Sequence, residues 1–464
     1  MRGIGGFDGW RGRLALVIAL VAAQAALWLN PGYFSHDELQ WGARAAVGHW
    51  RELPFESFSH WQNFQFRPLT FNLWLLLSHA LFDTPRLFHA VFVALGICNA
   101  LLLAGVLRGA GCRSALALGA ALAFGLSPFA TWVHGWVGCL ADLLWVAALL
   151  AALRALQAIS PPRSEGPGTR WLASDAPIRI VLAAFISAGA TALGLLAKEA
   201  ALSIPALLGM YALALRLPRA WLAASLGAGA VALAYLALRL DVLTAAPHGS
   251  TYALEWTAVP GSWLMYQVFP WALGVAEINV LTLASPPRLV LAGLLFVAFA
   301  AVLWRASPRL WLAWLAGGTL ALAPVLAVPA PSNQYGYGFM AVLCGVAAMA
   351  WRRVGRVEAG ILMALALLSS LHGAQVQRHL LLTGRLQAVF SPSLADAARA
   401  QPDGDIRLWP EAPGQVFTYA RLSHQIPSYR GVPLEPRVRM ARSRDDATHL
   451  IDRSGTVRAL DGSP

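Results

Sequence analysis

Asp37 and Glu38 stand side by side in "YFSHDELQWGAR" (residues 33–44), directly after an apolar run from Leu14 to Leu29. A carboxylate at such a place can act as a general base. On a helix, adjacent positions point about 100° apart. The two acids therefore cannot share one role, since Asp37 falls on a face with Trp41 and Arg44 and Glu38 turns elsewhere. The same letters also read as a helix start, with Ser35 as N-cap and both acids in a first turn that favours negative charge. Both readings stay open on the sequence alone.

Lys198, in "GLLAKEAALSIP", is the only lysine among 35 lysine and arginine residues, and it ends an apolar run. A charge at mid-bilayer costs roughly 2.5–3.5 kcal/mol, so a partner or a ligand is expected. Glu199 is the neighbouring partner, and a phosphate oxygen is the ligand that suits a compact ammonium. Arg67 precedes Pro68, which starts a helix well; its guanidinium can snorkel or clamp an anionic lipid head. Asp142 falls inside an apolar run, which marks it as functional by default, and His134 lies one or two helical turns before it. His89 follows a loop, and a lone histidine is more often structural. In "PSNQYGYGF", Gln334 precedes Tyr335 and Tyr337, whose rings suit either an interfacial belt or a sugar platform.

The elements that must position these groups are membrane helices. The 464-residue chain is 58% hydrophobic and 12% charged, about half the charge of a typical soluble domain. Hydropathy places about eleven transmembrane spans near 14–30, 87–107, 114–133, 138–155, 179–196, 200–216, 220–238, 287–304, 310–328, 338–351 and 357–372. Pro68–Phe82 and Pro260–Val275 are short and proline-marked, and read as helices in the outer interface. Arginines such as Arg108, Arg113, Arg305, Arg309, Arg352 and Arg353 fall between alternate spans, which puts the N-terminus inside and the C-terminus outside. The net charge of +12 then reflects topology, and no nucleic-acid partner is expected. Four scattered cysteines read as small packing residues.

Three regions follow. A membrane domain covers residues 1–371, with a large first outer loop at 30–86 and a cytoplasmic linker, "SPPRSEGPGTRW", at 160–171. Residues 372–464 turn polar and read as a small α+β periplasmic domain. Within it "DIRLWP" is followed by a helix around "GQVFTYARLSH", and "THLIDRSGTVRAL" forms a hairpin that turns at Ser454-Gly455.

Taken together, these stretches resemble the GT-C class of membrane glycosyltransferases, in its protein O-mannosyltransferase-like branch. The acidic pair after the first span, "FRPL" at Phe66–Leu69, "PRLFH" ending at His89, "AKEA" around Lys198 and "NQYGYGF" follow the order seen there. The spacing from Pro128 through Trp136 to Asp142 matches that branch without a gap. The resemblance covers most of residues 30–345. Where the branch usually carries a glutamate, an arginine and a further arginine, this chain has Trp132, Leu140 and Asn333-Gln334.

The resemblance implies an inverting transferase that uses a polyprenyl-phosphate sugar donor on the periplasmic face of a bacterial inner membrane. The acceptor would be a protein, a glycolipid or a glycan. Asp37 and Glu38 would be catalytic, and Lys198 and Arg67 would bind the donor phosphate. His134, Asp142, His89, Gln334, Tyr335 and Tyr337 would bind substrate. No cofactor follows with certainty from the resemblance, and a divalent cation at Asp37/Glu38 is a candidate. Two other classes compete: a lipid or glycan transporter, which would show midplane charges and repeated halves, and a non-catalytic assembly protein of the cell envelope.

Overall fold

The computed structural model describes residues 9–160, 176–245 and 253–460. Residues 161–171 of the expected linker, with Arg163 and Arg170, lie outside the described residues.

The first apolar run is a broken helix. α1 (Trp10–Ala23) stops at Gln24, and one further turn, α2 (Ala25–Trp28), completes it. Gln24 is fully buried and its Nε2 donates to the Gly125 carbonyl at 3.0 Å. α3 (His36–Val47) and α4 (Pro68–Leu81) follow, then α5 (Pro85–Gly109). α6 (Ser114–Gly125) and α7 (Pro128–Gly135) meet at a bend of 61°. The bend falls where Pro128 offers no N–H and Ser127 starts a new helix, its Oγ accepting from Ala130 N at 3.2 Å. The chain continues through α8 (Leu140–Ile159), α9 (Pro177–Ala197), α10 (Ile204–Leu215), α11 (Arg219–Thr244), α12 (Val259–Val268) and α13 (Val280–Leu283). α14 (Pro286–Ala306), α15 (Pro308–Leu326), α16 (Gly336–Trp351) and α17 (Arg356–Ala400) complete the bundle. Proline opens α4, α5, α7, α9, α14 and α15 at the first helical position, where its missing N–H costs nothing.

Among the described residues, seven helical stretches are long and apolar enough to cross a bilayer. They are α5, 137–159 (which includes α8), α9, α11, α14, α15 and α17, with α6–α7 an eighth if the bent pair is one span. Eleven were expected. The expected spans 14–30, 200–216 and 338–351 correspond to the broken α1–α2, the shorter apolar helix Glu199–Leu215 that includes α10, and the 16-residue α16. The two interfacial candidates form α4, of 14 residues, and α12, of 10. All four cysteines are unpaired, and Cys112, Cys139 and Cys344 are buried.

α17 decides where the C-terminal region sits. Its 45 residues extend about 68 Å, more than twice the ~30 Å hydrocarbon layer. The boundary expected at 371 falls inside this unbroken helix. At its start Glu358 pairs with Arg305 at 3.1 Å; at its far end it leads into a four-stranded sheet. The strands are β1 (Ile406–Pro410), β4 (Val438–Met440), β5 (His449–Ile451) and β6 (Val457–Ala459), with a small separate pair, β2 (Ser428–Tyr429) and β3 (Val432–Pro433). The order is β4-β1-β5-β6, with β1 parallel to both neighbours and β5–β6 an antiparallel hairpin. Gly455 turns that hairpin at φ +96°, and Asp452 Oδ1 accepts from Ser454 N and Thr456 N at 2.8 and 3.0 Å. α18 (Val416–Ser423) buries Tyr419 and Leu422, and Tyr419 packs on Phe390 of α17 with ring centres 4.9 Å apart.

Candidate functional site

α3 begins with a capping box. Ser35 Oγ accepts from Asp37 N at 3.2 Å, and Glu38 Oε2 accepts from Phe34 N and Ser35 N, both at 2.7 Å. Glu38 is only 1% exposed. Burial pushes its carboxyl up to about 8, against the opposing pull of backbone N–H groups of Ser35, Phe34 and Val137. Of the two acids, Glu38 therefore belongs to the cap. Asp37 does not: its side chain is 42% exposed and lies 3.3 Å from His36 Nε2.

The helix start also fixes what surrounds Asp37. His36 and Gln40, one turn apart on α3, face the end of α18. His36 Nδ1 donates to Arg421 O at 3.2 Å, and Gln40 Nε2 donates to His424 O and Gln425 O at 3.3 and 2.8 Å. These are carbonyls at a helix C-terminus, which lack partners within the helix. On another face, Trp41 stacks on Phe71 and Trp74 at 4.8 and 5.0 Å, anchoring α3 to α4. The C-terminal domain thus clasps the helix that carries Asp37.

Asp37 opens onto a cleft of about 130 Å³. Its walls include Phe34, Trp132, Trp136, Glu277 and Arg421, with the 331–333 turn beside them. Trp132 and Trp136 meet nearly at right angles, 6.0 Å apart, and Phe34 sets its edge against both. Arg421 Nη2 donates to Glu277 Oε1 at 2.9 Å, with the guanidinium 4.6 Å from the ring centres of both Phe34 and Phe417. Asn333 holds the Glu277 backbone from both sides: its Nδ2 donates to Ala276 O at 2.9 Å, and its Oδ1 accepts from Ile278 N at 2.7 Å.

Lys198 and Glu199 each have another partner than their neighbour. Lys198 has extended backbone (φ −162°, ψ 141°) at the end of α9, so consecutive side chains diverge. Its ammonium reaches both carboxylate oxygens of Asp142 at 2.6 Å and sits over the Tyr335 ring at 4.6 Å. Both partners are almost wholly buried. Glu199 Oε2 instead accepts from Arg67 Nε at 2.8 Å. The two basic residues expected at a phosphate are thus each engaged by a carboxylate.

No family model, curated protein or solved structure matches the chain.

The remaining expected substrate residues divide. His134, His89 and Tyr337 are fully buried and belong to the helix packing rather than to the cleft. His134 lies between Gln24 Oε1 (2.9 Å) and Tyr337 OH (3.2 Å), and Asn99 Nδ2 donates to that hydroxyl at 3.2 Å. His89 Nε2 donates to Gly32 O at 2.9 Å. Polar groups inside an apolar bundle must satisfy one another. Gly96 makes room for the His134 ring, since a Cβ there would collide with it. Gln334 bonds to Ser332 Oγ, and Tyr335 lies under Lys198. Among the described residues, no three His, Cys, Asp or Glu side chains converge as metal ligands. The divalent-cation candidate also loses Glu38 to the cap.

Sequence reasoning passed over Glu277 and Arg421, and it noted Asn333 only as a departure from the resembling branch. Glu277 is an isolated acid in the apolar stretch "WALGVAEINVL", a signal of the kind that singled out Asp142. Arg421 stands among many tail arginines and carries no local signal.

The Glu38 cap makes a prediction. Its folded carboxyl titrates above the ordinary value, so the folded protein binds the proton more tightly and this group's contribution to stability falls as pH rises through about 8. Glu38→Gln, which keeps an acceptor oxygen but no charge, should gain stability relative to wild type between about pH 5 and about pH 9. Glu38→Ala should lose about 1 kcal/mol or more at either pH, because both cap donors go unmet. Thermal unfolding of the three purified proteins across that range checks both signs.

Proposed function

We propose that the protein is an inverting glycosyltransferase that moves a sugar from a polyprenyl-phosphate donor to an acceptor at the periplasmic face of a bacterial inner membrane. The observation that carries this reading is Asp37. It is a carboxylate free of the helix cap and 42% exposed, on an aromatic-walled cleft of an apolar helix bundle. A donor with a polyprenyl tail in the bilayer would present its anomeric carbon at such a place. The orientation, with the N-terminus cytoplasmic and the C-terminus periplasmic, rests on the arginine asymmetry.

In this mechanism the acceptor hydroxyl attacks the anomeric carbon from the face opposite the phosphate. Asp37 takes the hydroxyl proton. The carbon–oxygen bond to phosphate breaks, the phosphate leaves with the bonding electrons, and the configuration inverts once. Lipid phosphate is a good leaving group, so no protonating acid is required, in contrast to the two carboxylates of glycoside hydrolysis. His36, held by the Arg421 carbonyl, positions Asp37. Arg67, 17% exposed at its pair with Glu199, is the more accessible of the two cations expected to bind the donor phosphate. Lys198 would have to leave Asp142 to reach one.

Turnover of labelled polyprenyl-phosphate sugars by the purified protein in proteoliposomes tests this reading. Sugar transfer to a glycan, lipid or peptide acceptor is expected. Donor movement across the bilayer without transfer would replace the transferase by a transporter. A folded protein inert towards the whole panel would leave the non-catalytic assembly role.

A further inference from the structure

The cleft carries groups that the general-base step does not use. Trp132, only 3% exposed, and Trp136 both line it, and their rings meet nearly at right angles. Two indole rings on one cleft make an aromatic wall against which the apolar face of a ligand ring can pack. Glu277 adds a carboxylate, which only accepts. Asn333 holds its backbone and Arg421 holds its side chain.

Charge decides the class of ligand. Asp37 and Glu277 together outweigh the single guanidinium of Arg421, which is already engaged by Glu277. Such a cleft disfavours phosphate. Carboxylate acceptors beside an aromatic wall suit a neutral polyhydroxyl group, whose hydroxyls donate to the carboxylates while its C–H face packs on the rings. The volume of about 130 Å³ is below the ~300–1,000 Å³ of pockets for drug-sized ligands. It matches a ligand portion about the size of one sugar ring.

We propose that Trp132, Trp136 and Glu277 form the sugar-recognition subsite of this cleft, with Arg421 of the C-terminal domain as the positioning residue for Glu277. The transferase reading supplies the source of the sugar, and the proposal rests on it in that respect. It also gives the C-terminal domain a function, since that domain brings Arg421 to the cleft beside Asp37.

Affinity is measured on the full-length protein with two probes: a polyprenyl phosphate without sugar, and a panel of the same lipid bearing hexoses and pentoses. The wild type should hold at least one sugar-bearing lipid more tightly than the bare phosphate. Trp136→Phe keeps a ring but removes part of the aromatic wall; it and Glu277→Gln should each shrink that preference by about 3–10-fold. Arg421→Gln should do the same, and Arg421→Lys should recover part of it. Affinity for bare polyprenyl phosphate should be unchanged throughout. If the Arg421 variants fail to fold, the two conservative substitutions in the cleft carry the test. No preference in the wild type, no binding of either probe, or an unchanged preference in Trp136→Phe and Glu277→Gln overturns the subsite. Sugar-dependent binding that these substitutions abolish, with no transfer in the labelled-donor assay, upholds the subsite and removes the transferase.

Discussion

Asp37→Asn should lower turnover by about 10²–10⁴-fold, the contribution of a placed general base, and leave donor affinity nearly unchanged. Asparagine keeps the shape of the side chain and its hydrogen bonding, but it cannot take the acceptor's proton. The cap of α3 is built by Ser35 and Glu38, so folding should be affected by no more than a few tenths of a kcal/mol. Single-turnover and steady-state rates with the labelled donor, alongside thermal unfolding, separate chemistry from stability. A well-folded Asp37→Asn protein with wild-type turnover would take Asp37 out of catalysis. Its neighbour behaves differently, because Glu38 is committed to the cap and its substitutions act on stability.

Lys198→Met should destabilise the protein by about 3–5 kcal/mol, the cost of stranding one charge of a buried pair. The charge left behind is Asp142, whose two oxygens both face the ammonium at 2.6 Å. Asp142→Leu alone should be similarly damaging. The double variant, Lys198→Met with Asp142→Leu, should recover most of the loss, since neutral side chains that fill a buried pair's space are often tolerated. Unfolding in detergent measures all three. Donor turnover by the double variant then divides the two roles of Lys198. Retained turnover makes the pair a structural brace, whereas its loss in a stable double variant makes Lys198 a phosphate contact. The Arg67–Glu199 pair, with side chains 17% and 15% exposed, should be worth less when broken, because water can reach the charge that remains.

The candidate site was legible where its bonds are local. Ser35, Asp37 and Glu38 fall within one helical turn, so the cap could be read from four letters, and so could the turn at Ser454-Gly455. The buried set His134, Tyr337 and Asn99 could not, because its hydrogen bonds join residues 203 and 238 positions apart. The division of labour between the two acids is a tertiary outcome. Periodicity shows that they diverge, but not which one the rest of the fold covers.

What the sequence by itself determined is the material of the fold. Apolar runs require a bilayer, prolines open the helices, and serine with acids caps α3; each rests on the chemistry of a residue and its neighbours within four positions. Hydropathy records which residues tolerate lipid and not where the backbone stops being helical, so it did not show the helix that runs across residue 371. α17 stays helical to Ala400, along a stretch whose side chains have turned polar. The tertiary structure alone decided the partners. Lys198 takes Asp142, 56 residues away, over the adjacent Glu199, and the Asp37 cleft is completed by Glu277 and by Arg421 from the far end of the chain. In a low-dielectric interior a charge must find an opposite charge at contact distance, and only the packing of the helices fixes which one is there.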